Sequence, residues 1–456
     1  MLTNCQINNF KLNRQIGSGA YGLVFHAVDV ITENEYAIKA VVKNPATGAT
    51  PEIKRSTMLQ TQLYYYFKSF QNRLFLPSID LDSIRGLSEE QLERAPHFRE
   101  IAMQLRVHAH PNVVTVHQVL ESPLATFLVM DYYSRDLFTS IVDDQHFAGS
   151  GQLVKKVFLQ LCSVLQHCHA RGVYHCDIKP ENILLDAEDN ACLCDFGLST
   201  LAEQLPANAC VGSSYYMAPE RISCPSSLQA SGAAGSTEDA GAPSTPALFP
   251  TMAGDVWSLG VILINLTCIR NPWLKAHQLE DNTFGYFVRD PHVLFKILPI
   301  SQQLFDILMD ILRLNPADRA PLSEIRERVA DCTSFTTSGP LSKVEPLSQY
   351  ERQQFLITQK GLSIRQMLHH FHTDDEPYKH VSPEEDETEF TSEDECYRQL
   401  SSVDTTPTGS VDVDQTSRTK RGNEAVLPSE FKVRYLTSNM STITNYSSHS
   451  RWLPQY

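Results

Sequence analysis

The chain contains the stretch His175-Cys176-Asp177-Ile178-Lys179-Pro180-Glu181-Asn182, followed thirteen residues later by Asp195-Phe196-Gly197. Asp177 can accept a proton and Lys179 can neutralise a phosphate, while Asn182 and Asp195 offer the oxygen ligands that Mg²⁺ prefers. Any one of these acidic residues alone could be a turn residue. Together, at the spacing that phosphoryl transfer from Mg-ATP requires, they predict a phosphotransfer site. Its predicted catalytic residues are Asp177 and Lys179, and its predicted metal ligands are Asn182 and Asp195.

A glycine-rich segment near the N-terminus, Gly17-x-Gly19-x-x-Gly22-x-Val24, follows a strand-like run. Glycines let a backbone close over a triphosphate without Cβ clashes. Alone, the motif is weak, because a flexible hairpin has the same composition. We assign nucleotide contacts to this segment: Ile16, Gly17, Ser18, Gly19, Ala20, Tyr21, Gly22 and Val24.

A lysine lies on the next-but-one predicted strand, in Ala37-Ile38-Lys39. A lysine there can pair with the α- and β-phosphates and be held by a carboxylate of the following helix. Glu100 is the predicted partner, with Glu89 and Glu93 as competitors. Taken alone, such a pair is more often two unrelated surface charges.

Several motifs in order show that the chain resembles a eukaryotic protein kinase from about residue 10 to residue 332. Besides the features above, they are GSSYYMAPE (residues 212–220), DVWSLG (residues 255–260) and Arg319 in NPADRA. The resemblance implies an α+β, two-lobed fold: a small antiparallel β lobe with one main helix, and a larger, mostly helical lobe. ATP and Mg²⁺ would bind between the lobes. The pattern HFREIAMQLRVHAHPNVV is similar to the family's helix before His-Pro-Asn, which favours Glu100.

The resemblance also implies further site residues. Met130 precedes the hinge and would lie behind adenine, and the predicted nucleotide contacts there are Ala37, Lys39, Met130, Asp131, Tyr133, Asp136 and Leu184. Asp136 and Glu181 would contact basic residues N-terminal to the phosphoacceptor. Ribose binding for Asp136 and a structural role for Glu181 are equally open. Asp255 would hold the catalytic loop, and Arg319 would pair with Glu220.

The type of kinase is indicated by the lysine two residues after Asp177 and by Ser213, which both resemble the serine/threonine branch. The HCDIKPEN loop, the YYS hinge and the acidic tail are similar to the fungal nutrient- and meiosis-regulating (Ran/Pat-like) kinases. The expected function is therefore a protein serine/threonine kinase in signalling. The alternatives are a pseudokinase scaffold and a small-molecule kinase; the peptide-platform motif argues against the latter.

Cys176 departs from the family pattern, which has arginine there to hold a phosphorylated activation-loop residue. A thiol cannot bind that phosphate. We therefore expect activity without phosphorylation of Ser199 or Thr200.

Composition bounds the remaining expectations. The net charge of −15 argues against nucleic acid as a ligand. Eleven cysteines without a CxxC pair or a secretory signal indicate a reduced, cytoplasmic or nuclear protein. We expect no membrane partner, since the longest apolar run, Val256–Ile269, is typical of a buried helix. We also expect a monomer.

The predicted domains are an N-terminal extension (residues 1–9), a kinase domain (residues 10–332) and an acidic, Ser/Thr-rich, mostly disordered tail (residues 333–456). Two inserts interrupt the kinase domain, at residues 43–87 and 224–252, the second rich in Gly, Ala, Ser and Pro. Ser88 is expected to open a helix with a capping box, and Pro96 to begin the next.

Overall fold

The computed structural model describes residues 2, 4–19, 22–43, 52–207, 209–222 and 247–356. They form a small lobe built mainly on one sheet and a larger, mainly helical lobe. The expected α+β, two-lobed fold is confirmed. The predictions made for Ala20, Tyr21, residues 223–246 and residues 357–456 lie outside the described residues.

The small lobe is an eight-stranded sheet in the order β5-β1-β2-β3-β4-β8-β7-β6. Its strands are β1 (Gln6–Ile7), β2 (Phe10–Gly19), β3 (Gly22–Asp29), β4 (Glu35–Val42), β5 (Arg73–Leu74), β6 (Ser78–Ile79), β7 (Val116–Glu121) and β8 (Ala125–Asp131). The central strand β8 is buried from Ala125 to Met130, as expected for an apolar run with neighbours on both sides.

Residues before β2 belong to this sheet and are not an extension, contrary to the boundary predicted at residue 9. β1 pairs with β2 and also with β5. Leu2, Cys5 and Ile7 are buried in the core of the small lobe. The sequence gives little indication of this, because only three apolar residues, spaced two or three positions apart, place the segment in the core.

The first insert is also part of the small lobe where the structure describes it. Helix α1 (Glu52–Ser69) buries Leu59, Leu63 and Phe67 against the same core. These residues recur every four positions, so they share one face of the helix.

Helix α2 (Leu81–Arg85) lies at the end of the insert, and α3 (Glu89–Arg94) and α4 (Arg99–Val107) then lead to the site. Ser88 forms the predicted capping box with Gln91 at the start of α3. Pro96 opens a short 3₁₀ turn that leads into α4. α4 is almost wholly buried, which fixes the position of Glu100 in its first turn.

The large lobe contains the remaining elements in chain order. They are β9 (Arg135–Asp136), α5 (Leu137–Val142), α6 (Gly151–Ala170), β10 (Ile183–Leu185), β11 (Ala191–Leu193), β12 (Gln204–Pro206), α7 (Pro219–Ile222), β13 (Leu248–Pro250), α8 (Thr251–Cys268), α9 (Asn282–Arg289), α10 (Leu294–Ile297), α11 (Gln302–Ile311), α12 (Leu322–Asp331) and α13 (Gln349–Leu356). Helix α8 contains the long apolar run. It is long and apolar enough to cross a membrane, but most of it is buried inside the lobe, as predicted.

Residues 333–356 pack on the large lobe, so the predicted start of a disordered tail at residue 333 is wrong for this part. Phe335, Leu341 and Leu347 are buried in the lobe core. The buried Lys155 of α6 donates to the carbonyl oxygens of Ala330 (3.0 Å) and Glu345 (2.6 Å). The packing of this segment could not be predicted from its Ser/Thr-rich composition, because many of its contacts are made by backbone carbonyls, which any sequence supplies.

The second insert ends earlier than predicted. Within the predicted range 224–252, residues 248–250 form β13, which pairs with β12, and Thr251 begins α8. The end of the insert therefore lies against the loop between Asp195 and Ser213.

Candidate active site

The glycine-rich segment is a tight hairpin between β2 and β3, in which Gly19 pairs with Gly22. A Cβ on Gly22 would lie 2.3 Å from the carbonyl oxygen of Ala40, and one on Gly17 would lie 3.3 Å from Val24 Cβ. Only glycine fits at position 22, because the Ala40 backbone is too close for a Cβ, and the space at Gly17 is tight. Ser18 pairs with Leu23 in the same hairpin, and Ile16 is partly exposed at its edge.

Lys39, on β4, connects the two lobes through carboxylates. Its Nζ contacts Glu100 Oε1 directly and lies 3.0 Å from Asp195 Oδ1. The structure therefore brings Lys39 to Glu100 rather than to the competing carboxylates: Glu89 pairs with Arg99 instead, at 3.0 Å. Glu93 is exposed.

The charges of this trio are set by their mutual contact. Burial works to lower the pKa of Lys39, but the Asp195 and Glu100 carboxylates outweigh it, so the pKa is raised. Burial raises the pKa of Glu100, an effect partly offset by Lys39. The Lys39 ammonium holds the pKa of Asp195 down at about 2. Lys39 is thus a permanent cation and Asp195 a permanent anion at neutral pH.

Asp177 is the most tightly held carboxylate of the catalytic loop. Its Oδ1 accepts hydrogen bonds from the backbone N–H (3.0 Å) and hydroxyl (3.1 Å) of Ser213. Its Oδ2 accepts from Lys179 Nζ (2.6 Å) and Asn182 Nδ2 (3.1 Å). Lys179 also donates to Ser213 Oγ at 3.2 Å. Four polar groups thus fix the orientation of one carboxylate.

Asp255, at the start of α8, supports this loop from behind. It accepts from the backbone N–H groups of His175 (3.0 Å) and Cys176 (2.8 Å). Cys176 has a left-handed backbone, with φ of 65°, and its carbonyl oxygen would lie 2.5 Å from a Cβ on Gly212. The predicted role of Asp255 in holding the loop agrees with these contacts.

Asn182 and Asp195 bring oxygen atoms of the type suited to a hard divalent cation. The Asn182 side chain donates its amide N–H to the carbonyl oxygen of Asp177 (2.9 Å), which leaves its amide oxygen as the acceptor end. Asp195 stays ionised, and a Cβ on Gly197 would lie 3.3 Å from its Oδ1. A carboxylate and an amide oxygen, beside a glycine hairpin and a lysine, fit a metal-bound nucleoside triphosphate.

The predicted adenine contacts lie on β4 and β8 of the small lobe, on β10 of the large lobe, and in the segment between β8 and α5. Ala37 and Met130 are register partners, and Met130 is largely buried. Leu184, on β10, pairs with Asp136 on β9. Tyr133 donates its hydroxyl to Cys192 Sγ at 3.1 Å, a contact that sequence reasoning missed because nothing in the pattern joins these positions.

Two hinge carboxylates are engaged with the protein. Asp131 lies 2.6 Å from His117 Nε2 and accepts from the backbone N–H of Thr115. Asp136 accepts from the backbone N–H of Thr139 at 2.7 Å and caps α5. The structure therefore gives Asp136 a role, helix capping, that neither of its two predicted alternatives included.

Glu181 has a different environment. Its Oε2 is buried and has no hydrogen-bond partner within the described part of the chain. Burial raises the pKa of this carboxyl; a hydrogen bond with its own backbone and the Lys179 charge lower it, and Asp177 and Asp136 raise it. A buried acceptor without a partner is costly unless a ligand supplies the donor.

The segment that follows Ser213 is anchored to the large lobe by a buried ion pair. Arg319 donates from two nitrogens to the two carboxylate oxygens of Glu220, both at 2.7 Å. The predicted pair is therefore present. Sequence reasoning did not single out the neighbouring Arg221 or Thr251, because no general motif contains them.

The comparisons with known proteins agree with this geometry. A sequence profile of the family described as Protein kinase domain matches residues 83–329. The chain is 56% identical over 386 residues to the serine/threonine-protein kinase SKS1 of Saccharomyces cerevisiae, a match covering 82% of this chain and 75% of that protein. It is 52% identical to the serine/threonine-protein kinase VHS1 of the same yeast, over 78% of this chain and 77% of that protein.

A third relative is more distant. It is the Schizosaccharomyces pombe protein named negative regulator of sexual conjugation and meiosis, 36% identical over 70% of this chain and 59% of that protein. The pseudokinase alternative finds no support in relatives that are named kinases. The chain belongs to the protein kinase family and is a protein serine/threonine kinase.

Proposed function

We propose that Asp177 is the group that orients the hydroxyl of a substrate serine or threonine and accepts its proton. The observation that carries this role is the set of four donors around its carboxylate, from Ser213, Lys179 and Asn182. A carboxylate held in one orientation need not reorganise when the hydroxyl arrives, which is what a general base requires.

Lys39 and Lys179 supply fixed positive charge for the phosphates. Lys39, kept charged by Glu100 and Asp195, orients the non-transferred phosphates. Lys179, beside Asp177, neutralises the phosphoryl group as it is transferred. Asn182 and Asp195 would hold Mg²⁺, which supplies charge neutralisation on the phosphate oxygens of ATP.

Glu181 supports a preference for substrates with a basic residue N-terminal to the phosphoacceptor. Its buried, unpartnered Oε2 lacks a donor that an arginine guanidinium can provide. Asp136 is not part of this proposal, because capping α5 occupies its carboxylate.

The setting is proposed from weaker support. We place the kinase in nutrient or meiosis-related signalling, in line with the name of the fission-yeast relative. A cytoplasmic or nuclear location fits the described cysteines, all of which are free thiols. We propose that it acts as a monomer.

The test is a phosphorylation assay with purified protein, radiolabelled ATP and a degenerate Ser/Thr peptide library, with and without Mg²⁺. Peptide labelling that requires Mg²⁺, enriched for basic residues before the acceptor, would support the proposal. Asp177→Asn is the control for the base. Labelling by that variant at the wild-type rate would show that another group accepts the proton.

A further inference from the structure

We propose that β13 and Thr251, at the end of the second insert, hold the activation segment in its ordered arrangement in place of a phosphate; the structure describes this segment over residues 198–207 and 209–213. The inference rests on the proposed role of Asp177, since Ser213 lies at the end of this segment. β13, Thr251 and Arg221 are together called the clamp. They are positioning residues, because none of them contacts the reacting groups.

The central contact of the clamp is the antiparallel pair of β12 and β13. Leu205 faces Phe249, flanked by two backbone hydrogen bonds of 2.8 Å, from Ala207 N–H to the Ala247 carbonyl and from Thr251 N–H to the Glu203 carbonyl. In an antiparallel ladder, hydrogen-bonded pairs alternate with non-bonded pairs. Leu205 and Phe249 therefore occupy a bonded pair.

The prolines of the two strands fit this alternation of bonded and non-bonded pairs. Pro206 faces Leu248 and Pro250 faces Gln204, so both prolines lie at non-bonded positions. A proline has no N–H and is tolerated in a strand only where none is needed. Both strands thus keep all their ladder bonds despite carrying a proline each. This placement is expected of a pairing that the sequence specifies.

Two side chains fasten the strand pair to the helices beneath it. Thr251 is buried and donates its hydroxyl to the carbonyl oxygen of Ala202 at 2.6 Å. Arg221 donates from its guanidinium to the Pro250 carbonyl (3.2 Å), and its own carbonyl accepts from Cys210 N–H (3.0 Å). Arg221 thereby joins β13 to the last part of the activation segment.

The largely buried cation of Arg221 lies close enough to Cys176, the position where the family pattern has arginine, to interact with it electrostatically. Burial lowers its pKa, while Glu220, Cys176 and Asp255 act in the opposite direction. Its NH1 is buried without a hydrogen-bond partner among the described residues. The Arg221 guanidinium contacts β13 through the Pro250 carbonyl.

The candidate phosphoacceptors of the segment are engaged with the protein. Ser199 is buried and donates its hydroxyl to the His175 carbonyl at 3.3 Å. Thr200 exchanges two backbone hydrogen bonds of 3.0 Å with Tyr174. The segment is therefore anchored at its start by Tyr174, in its middle by β13 and at its end by Arg221 and Asp177.

The experiment separates the lost ladder bond from the mere presence of a proline. Phe249→Pro removes an N–H at a bonded position, whereas Leu248→Pro places the same residue at the exposed, non-bonded neighbour. All proteins are treated with phosphatase first. We measure kcat and KM for a peptide, the Kd for a fluorescent ATP analogue, and hydrogen exchange of the amides of residues 200–211.

We expect Phe249→Pro to lower kcat/KM at least tenfold and to accelerate exchange in residues 200–211, with the nucleotide Kd unchanged within twofold. Leu248→Pro should stay within about threefold of the wild type. A loss of stability alone would change nucleotide binding as well, so the unchanged Kd identifies positioning.

Thr251→Val and Thr251→Ser form a second pair, in case Phe249→Pro does not fold. Valine lacks the hydroxyl and serine retains it, so serine should restore the activity that valine loses. A folded Phe249→Pro variant with wild-type activity and exchange, or equal activities for the two Thr251 variants, would overturn the proposal. So would a wild-type enzyme that phosphatase inactivates. The exchange measurement does not depend on which group is the base. The clamp proposal can therefore be refuted or supported whatever the result for Asp177.

Discussion

Leu347→Ala tests whether the segment after residue 332 is part of the large lobe. Leu347 is 3% exposed, and its backbone N–H donates to the Ala330 carbonyl at 3.0 Å. Lys155 donates to the same carbonyl and to that of Glu345, so the backbone just before the leucine and the backbone it bonds to are held by one side chain. A cavity left by the substitution therefore cannot easily collapse.

Buried leucine-to-alanine changes lower the free energy of unfolding by about 2–5 kcal/mol, and rigid sites lie in the upper part of that range. We expect a loss of about 3–5 kcal/mol. For a folded part of about 320 residues, an unfolding entropy of about 2.1 cal/mol/K per residue means that 1 kcal/mol shifts the melting temperature by about 1.5 °C, so the expected decrease is roughly 4–8 °C. Thermal unfolding followed by circular dichroism would measure it.

Tyr350→Ala is the matched control, since this side chain is 70% exposed on the same segment. It should change the stability by no more than about 0.5 kcal/mol. If Leu347→Ala melts with the control, or if a chain ending at residue 335 is as stable as one ending at residue 356, the segment does not support the lobe.

The remaining predictions concern the reaction. Asp177→Asn should lower kcat by about 10²–10⁴ while ATP still binds, because the phosphate contacts remain; loss of nucleotide binding, measured by fluorescence titration, would contradict this. Ser199→Ala combined with Thr200→Ala should change kcat/KM by less than about tenfold, or 1.4 kcal/mol, since neither hydroxyl needs a phosphate; a larger loss in peptide kinetics would argue for control by phosphorylation. Glu181→Gln should weaken the preference for an arginine-containing peptide about tenfold or more, with the matching alanine peptide unaffected; equal loss for both peptides would place Glu181 in a structural role.

The chemistry-bearing residues could be predicted because their spacing is fixed by the reaction. Asp177, Lys179, Asn182 and Asp195 must surround one phosphoryl group, so the sequence interval between them varies little. Glu100 was harder, since 61 residues separate it from Lys39. Only the pattern of α4 and the turn after it distinguished it from Glu89.

The edges of the lobes could not be predicted in the same way. β13 is held by backbone hydrogen bonds and directly follows a stretch rich in Gly, Ala, Ser and Pro. That composition predicted disorder, and the two apolar residues Leu248 and Phe249 were too weak a signal to predict a strand. For Asp136, the motif predicted the position relative to the hinge but not the role. A helix cap depends on the local backbone, which the motif does not specify.

The pairing of β1 with the far end of the first insert has a consequence for the synthesis of the protein. Asn8 donates its side-chain amide to the Leu76 carbonyl, 68 residues further along the chain. At about 5–20 residues per second, a ribosome needs roughly 3–14 s to make that interval. Throughout it, Leu2, Cys5 and Ile7 have been made but lack the partners that β5 and α1 later provide. The nascent chain therefore presents apolar residues to chaperones for seconds, and slow codons between residues 9 and 76 would lengthen that exposure.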